Sequence, residues 1–361
     1  MRRTVLPAVA ALLFVSLTTP VRAQTPRTSA ITTPPFESFL EQLRQQAGIP
    51  GLSAAIVQNG EIVWERGFGF QNQELRARAT PDTPYPIGDL SETIAATLLL
   101  QCVEQRILDL DVSARRYGLS MPEADATLRN VLSHTSAGTP GDIFRYDPDR
   151  FAQLGTAVEF CAPQPYRKSV AHRILDRLAM KDSVPGRDIQ GLQNTPDGLF
   201  DAAALERYAR VLERIAVPYK LDKKGRSVRS DTPIDDHLTA STGVISTVRD
   251  LARFDAALDS TVLLNDDTVA MAWSNAVTRD RTTALPMGLG WFVQRYGADP
   301  VVWHFGLVPN AYSSLIIKLP ARHLTLVLLA NSDGLTAPFQ MPQGEVTRSL
   351  FAALFLRMFA G

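Results

Sequence analysis

Apolar positions along this chain follow two periods. Phe36, Phe39, Leu40 and Leu43 recur at helical spacing and Gly48 follows as a stop, which predicts a helix over Phe36–Ala47. Two strand-like runs come next, Leu52–Gln58 and Ile62–Gly67, joined by Asn59-Gly60. Both central positions of a two-residue hairpin turn take positive φ, which Asn and Gly tolerate, so this stretch reads as a β-hairpin. From about Pro81 to Asp235 helical patterns dominate: Glu92–Gln105, Leu128–Leu132, Phe151–Phe160, Tyr166–Leu178 and Ala202–Arg214. Lys220–Arg229 is polar, basic and turn-rich and reads as a solvated loop. A short helix is expected at Val248–Leu258. Strand patterns return at Leu289–Arg295, Val301–His304, Ser313–Leu319 and Leu324–Ala330, and Gly344–Ala360 reads as an amphipathic helix. A sheet drawn from both chain ends, with helices inserted between, is an α+β arrangement. Its sheet part spans 36–80 and 236–361, and its helical part 81–235.

The N-terminus adds a targeting signal to this picture. Arg2 and Arg3 form a basic region, Val5–Leu17 an apolar one, and Val21-Arg22-Ala23 a small-residue cleavage site, so residues 1–23 read as a secretory signal peptide. The apolar run is shorter than a normal membrane span, and no stable anchor is expected after cleavage. Gln24–Pro35, rich in Thr, Pro and Ser, reads as a flexible leader. The chain has 361 residues, 45% hydrophobic and 20% charged, enough for a sizeable core. Lys+Arg 37 balance Asp+Glu 37, so no global attraction to nucleic acid is implied. The localisation expected is periplasmic or secreted. Such a compartment permits a disulfide between Cys102 and Cys161, but the spacing does not specify one. Cys102 lies in the apolar run Ile94–Val103, and two free or buried thiols are the reading favoured here.

The chemistry concentrates at Tyr85-Pro-Ile-Gly-Asp-Leu-Ser-Glu-Thr-Ile94. This stretch resembles the nucleophile helix of the serine β-lactamase and penicillin-binding-protein family, in which Ile-Gly precedes Ser-x-x-Lys and an apolar helix. Further segments resemble landmarks of the class C β-lactamase-like branch, in order: Gly51–Val57, Leu128–Ser136, Phe144-Arg-Tyr146, Leu175–Ser183, Gly243–Ala252, Leu289-Gly-Trp291, Trp303-His-Phe-Gly306 and Val327–Asn331. The resemblance covers roughly Phe36 to the end and implies a β-lactamase/transpeptidase-like fold, an antiparallel sheet flanked by helices with an inserted, mainly helical region.

Carried over residue by residue, the resemblance implies an altered site. The nucleophile position is Asp89 and the lysine position Glu92. Ser-x-x-Lys works because residues three apart share a helix face, so the amine can take the hydroxyl proton. Aspartate forms no acyl-serine ester, and glutamate supplies no cation to lower a hydroxyl pKa. Tyr146 matches the tyrosine that serves as general base. Its motif partner, normally asparagine, falls at Pro148, which has no side-chain amide. His304 and Gly306 match the Lys/His-Thr/Ser-Gly strand motif, with Phe305 at the hydroxyl position. Tyr146 and His304 are thus retained catalytic positions, and Arg145, Phe305, Gly306 and Leu307 form the candidate ligand-binding set. The oxyanion hole is built from backbone amides and can outlast the loss of side chains.

Bland readings stand beside these. Ser91 lies about 200° around the helix from Asp89 and faces away from the pocket. Asp89 and Glu92 form a like-charge pair whose burial requires a proton or a cation, and Arg145 is the nearest cation in sequence. The pair turns the pocket's preference towards a cationic or neutral ligand, or else it closes into an internal salt bridge. Tyr146 without a cationic neighbour should titrate near the ordinary phenol value of about 10. His134, His172, His237, His304 and His323 show no short metal-ligand spacing, so neither a metal nor another cofactor is expected. His134 reads as structural. The functional expectation is an exported, catalytically impaired relative acting as a ligand-binding or regulatory module on a small-molecule or cell-wall-derived ligand, or on a protein partner. The competing expectation is an active β-lactamase, esterase or D-alanyl peptidase with an unorthodox nucleophile, and a purely structural envelope protein is the third.

Overall fold

The computed structural model describes residues 33–194, 198–234 and 237–360; the signal peptide expected at 1–23 and most of the expected leader lie outside them. From Thr33 onward the chain forms one compact unit. Helix α1 (Pro34–Gln46) begins two residues before the reading from periodicity, because Pro34 and Pro35 suit a first turn whose amides have no helical partners. The hairpin follows as read: β1 (Gly51–Gln58) and β2 (Glu61–Asn72) meet at Asn59 and Gly60, with φ of 53° and 80°. Short strands β3 (Ala77–Arg78) and β4 (Tyr85–Pro86) lead into α2 (Ser91–Glu104), whose residues from Ser91 to Cys102 are all buried.

The middle of the chain carries α3 (Leu128–Leu132), α4 (Pro148–Ala152), α5 (Leu154–Cys161), α6 (Tyr166–Val170), β5 (Val184–Pro185) and α7 (Ala202–Leu212). Then come β6 (Tyr219–Leu221), β7 (Ser227–Arg229), β8 (Val244–Ser246), α8 (Val248–Asp259) and α9 (Asp266–Ala272). The chain ends with β9 (Phe292–Tyr296), β10 (Asp299–Val308), β11 (Tyr312–Leu319), β12 (Leu324–Ala330) and α10 (Leu350–Phe359). Among the described residues the main sheet has seven strands in the order β3-β2-β1-β12-β11-β10-β9, with every pairing antiparallel. Strands from the two chain ends meet at β1–β12, in register from Leu52 opposite Ala330. Helices α1 and α10 meet through Phe36, whose ring lies 5.5 Å from Phe359 and 5.5 Å from Trp64 of β2.

Several expectations need correction. Lys220–Arg229 is not a bare loop: β6 and β7 pair across it. The buried Tyr219 anchors this hairpin through a hydroxyl that accepts the Gln73 N–H at 2.7 Å. The single helix read at Phe151–Phe160 is two, divided at Gln153, whose side chain accepts the Ser120 N–H at 2.8 Å. The last helix starts only at Leu350, because the Ser349 side chain caps it. Helix α9, capped by Asn265, has no counterpart in the periodic segments of the sequence.

Cys102 and Cys161 are not free thiols. They form a disulfide, with Cα atoms 6.1 Å apart, that ties the end of α2 to the end of α5. The bridge closes a loop between positions 59 residues apart in sequence. Loop-closure entropy assigns such a link on the order of 4 kcal/mol. Replacing both cysteines by serine is therefore expected to lower the thermal midpoint of the oxidised protein by several degrees, and reductant should lower the wild type alone. A reductant-insensitive midpoint would argue against the link.

Candidate functional site

Two glycines set the geometry of the site. Gly88 opens the turn of Gly88–Leu90 at φ 57°, and a Cβ there would lie 2.8 Å from the Leu307 nitrogen. On β10, a Cβ at Gly306 would lie 1.8 Å from the Ile87 carbonyl oxygen. Only glycine at both positions lets the turn lie directly on the strand. The turn is held from two further sides. Ser314 of β11 donates its hydroxyl to the Ile87 carbonyl at 2.7 Å, and the Ile87 N–H donates to Val244 of β8 at 3.0 Å.

This contact fixes Asp89. The Leu307 N–H donates to Asp89 Oδ2 at 3.1 Å, so the carboxyl rests against the strand amide. Burial, and then the neighbouring Glu92 charge, push its pKa up to about 8, opposed by the amides of Leu307 and of Asp89 itself. Asp89 forms part of the wall of a cavity of about 390 Å³ with Pro86, Pro148, Thr242, Leu307 and Pro309. Ser91 cannot replace it as attacker. Its fully buried hydroxyl donates to the Gly88 carbonyl at 2.7 Å and accepts the Val244 N–H at 3.4 Å.

Glu92 is fully buried one helical turn further on, and histidines accompany it. His134 Nδ1 accepts the Asp147 N–H at 2.9 Å, so its proton sits on Nε2, which donates to Glu92 Oε2 at 3.0 Å. Burial holds the His134 pKa down at about 3, partly offset by Asp147, and the ring is neutral. His304 Nδ1 donates to the Phe305 carbonyl at 2.7 Å, which leaves Nε2 at 3.3 Å from Glu92 Oε2 in a poorly aligned contact. Burial raises the Glu92 pKa to about 7, against the pull of His304.

Tyr146 completes the group. Its ring stacks on His134 at 4.4 Å and faces Phe305 at 5.3 Å. Its hydroxyl lies near Glu92 without an aligned partner, and its pKa stands well above the ordinary phenol range because of burial and then the acids Asp89 and Glu92. The expectation of an unshifted phenol is therefore corrected upward. Phe305 is buried, 5.9 Å from Phe292, which in turn stacks on Trp303 at 4.3 Å. These rings cover the fully buried Glu92 and His304, while Tyr146 is partly exposed with its hydroxyl buried, and none of the three lines the cavity wall.

Of the residues named from sequence, the structure brings Asp89, Glu92, Tyr146, His304, Phe305, Gly306 and Leu307 together. Arg145 is not with them: its side chain is exposed and makes no ion pair among the described residues, while its backbone N–H donates to the His134 carbonyl at 2.8 Å. The internal salt bridge considered for the acid pair is absent. Pro148 departs from an amide-bearing position because it opens α4, with the Asp147 side chain as cap. His134, read as structural, touches Glu92 directly. Its backbone at φ 52° aims the ring inward, and the pairing of Glu92 with two histidines carried no local sequence signal.

A chain with this sheet and turn has known counterparts. Its fold superposes on an octameric penicillin-binding protein homologue from Pyrococcus abyssi with a TM-score of 0.72, at 21% identity, over 90% of this chain and 77% of that one. It superposes on the D-alanine carboxypeptidase AmpC from Burkholderia cenocepacia with a TM-score of 0.65, at 18% identity, over 87% and 96%. In sequence it is 21% identical over 325 residues to Protein flp of Staphylococcus aureus (strain MW2), covering 84% of this chain but only 64% of that protein. A shorter match, 28% identical over 105 residues, links it to the human mitochondrial serine beta-lactamase-like protein LACTB, over 27% of this chain and 19% of that one. The Beta-lactamase family model matches residues 36–344, from the first helix to the segment before the last, and the chain belongs to that family.

Proposed function

We propose that this chain is an exported member of the beta-lactamase family that has lost acyl-serine chemistry and acts as a ligand-binding or regulatory module. The observation that carries this reading is the Asp89 carboxyl lying on the Leu307 amide, where the family presents a hydroxyl. A carboxyl there is no serine nucleophile, and Glu92 offers no ammonium to activate one. Tyr146, its phenol held far above neutral pH, is a poor base. Export is supported by the signal-like N-terminus and by the Cys102–Cys161 disulfide, which suits an oxidising compartment.

The cleft beside Asp89 supports a binding role. Pro86, Pro148, Pro233, Ile234 and Val308 give it apolar walls, and Thr232, Ser241 and Thr242 supply hydroxyls. The carboxyl on its floor is protonated until the pH nears about 8, so it favours a neutral small molecule below that and, once ionised, a cationic one, including a cell-wall-derived fragment with a free amine, over a carboxylate.

Fluorescent penicillin and fluorophosphonate are expected to leave the intact mass of the protein unchanged. A covalent adduct on any serine would sink the reading. In a titration series above about pH 8, where Asp89 is ionised, amines should bind more tightly than β-lactams or acyl-D-alanine peptides of similar size, and the opposite ranking there would refute the charge preference.

The acids also predict how stability responds to pH. Both carboxyls have folded pKa values, about 8 and about 7, above their ordinary ones of 3.8 and 4.5. The folded state therefore holds protons that the unfolded state has released, and stability falls as pH rises through this interval. His134 acts in the opposite sense, but only below its ordinary value of 6.5. Between those limits the wild type should lose stability as pH rises, by at most about 1.4 kcal/mol per pH unit for each proton involved. Asp89→Asn should flatten the dependence. Urea unfolding of both proteins across this window checks it, and parallel curves would show that Asp89 is not protonated in the fold.

A further inference from the structure

A second cavity, of about 630 Å³, shares no lining residue with the cleft beside Asp89. Its volume falls in the range of small-molecule sites, about 300–1,000 Å³. Four segments build its wall: α6, a π-helical stretch that continues α6 over Ala171–Asp176, the turn at Lys181, and α7 with the loop before it. π-Helical turns are rare and recur at functional sites. Here Lys168, His172 and Asp176, each four residues from the next, all reach the cavity. The apolar part of the wall is anchored. Phe200 is buried, meets Tyr208 edge-on at 5.6 Å, and belongs to a small core with Val184, Val211 and Ile245. The His172 ring lies 6.1 Å from it.

The charged part of the wall is mostly cationic. Lys168, Lys181, Arg207 and Arg210 face Asp176 and Asp201. Both oxygens of Asp176 are engaged, since His172 Nδ1 lies 2.9 Å from Oδ2 and Arg207 donates to Oδ1 at 2.8 Å. Asp201 works against an anion, but its carboxyl is engaged at the start of α7, where it accepts the Ala204 N–H at 2.7 Å. Arg210 is shared with Glu206 at 2.5 Å. Lys168 and Lys181 make no ion pair among the described residues. Two uncompensated ammonium groups on different segments, beside a fixed aromatic ring, suit an anion that accepts hydrogen bonds from several directions. A phosphate does so through three oxygens, and a carboxylate offers one plane.

We propose that this cavity binds a small phosphate monoester with a planar, apolar body. Lys168 and Lys181 take the phosphate, and the body lies against Leu199 and Phe200. The site is separate from the Asp89 cleft, and its occupancy does not depend on what that cleft binds.

The test is calorimetric titration of the full chain with phenyl phosphate at about pH 7.5, where a phosphate monoester is mostly dianionic. Saturable binding in the submillimolar range is expected, with inorganic phosphate and benzoate each binding more weakly because one lacks the ring and the other the phosphate. Lys168→Gln combined with Lys181→Gln should weaken phenyl phosphate about tenfold, the size expected of two partly solvated charges. Lys223→Gln combined with Lys224→Gln removes the same charge from the β6–β7 turn and should leave the affinity unchanged. If the first pair does not fold, the exposed Lys181→Gln alone takes its place, with about a threefold loss expected. A wild type that shows no saturable binding would overturn the proposal. So would equal losses in the two lysine pairs, an affinity untouched by the Lys181 change, or inorganic phosphate or benzoate binding as tightly as phenyl phosphate.

Discussion

The approach of one turn to one strand governs this site. Ile87–Asp89 can lie on β10 only because Gly88 and Gly306 carry no side chains, since a Cβ at Gly306 would meet the Ile87 carbonyl at 1.8 Å. Whatever side chain stands at position 89 is thereby presented to the Leu307 amide. The backbone fixes position and the side chain fixes chemistry, and here the two are set by different residues. A fold can keep one backbone geometry at a turn while the side chain placed in it changes.

Replacing a hydroxyl and an ammonium by two carboxyls leaves a charge problem, and the interior resolves it without a cation. Two adjacent buried carboxylates would repel in a medium that screens poorly. Burial favours their protonated forms, His134 donates to Glu92 as a neutral ring, and His304 Nε2 lies 3.3 Å from the same carboxyl oxygen. Arg145, the obvious counter-ion by sequence, stays in solvent, where its charge costs nothing to hydrate. The aromatic rings of Tyr146, Phe292, Trp303 and Phe305 close over the group and maintain the low polarity on which this solution depends.

Much of the fold could be read in advance, because local signals set it. Asn59-Gly60 specifies its turn through φ preferences, Leu128–Leu132 and Leu324–Ala330 fall where periodicity places them, and strands at both chain ends imply one sheet. What escaped was set by distant partners. The Cys102–Cys161 bridge depends on how α2 packs against α5, and the β6–β7 hairpin on a buried tyrosine hydroxyl. At the site, motif order located Asp89, Glu92, Tyr146 and His304, since these are fixed by the turn, the helix and the strand. His134 was missed because its role exists only once Glu92 replaces an ammonium. A residue that was scaffold in one charge state becomes a proton donor in the other.

This dependence bears on whether the site has decayed or been rebuilt. Loss without compensation would leave Glu92 facing apolar rings with no donor, a burial costing several kcal/mol. Instead its Oε2 is met by two imidazoles, Pro148 begins a properly capped helix, and Phe305 completes an aromatic layer. These residues support one another: Phe305 packs over Tyr146, Glu92 gives His134 an acceptor, and the Asp89 carboxyl accepts the Leu307 N–H. Among the described residues around the site, Glu92 Oε1, the Tyr146 hydroxyl, His304 Nε2 and Trp303 Nε1 lack aligned partners. That cluster of acid, phenol, imidazole and indole is a different interior from the one a catalytic lysine would require.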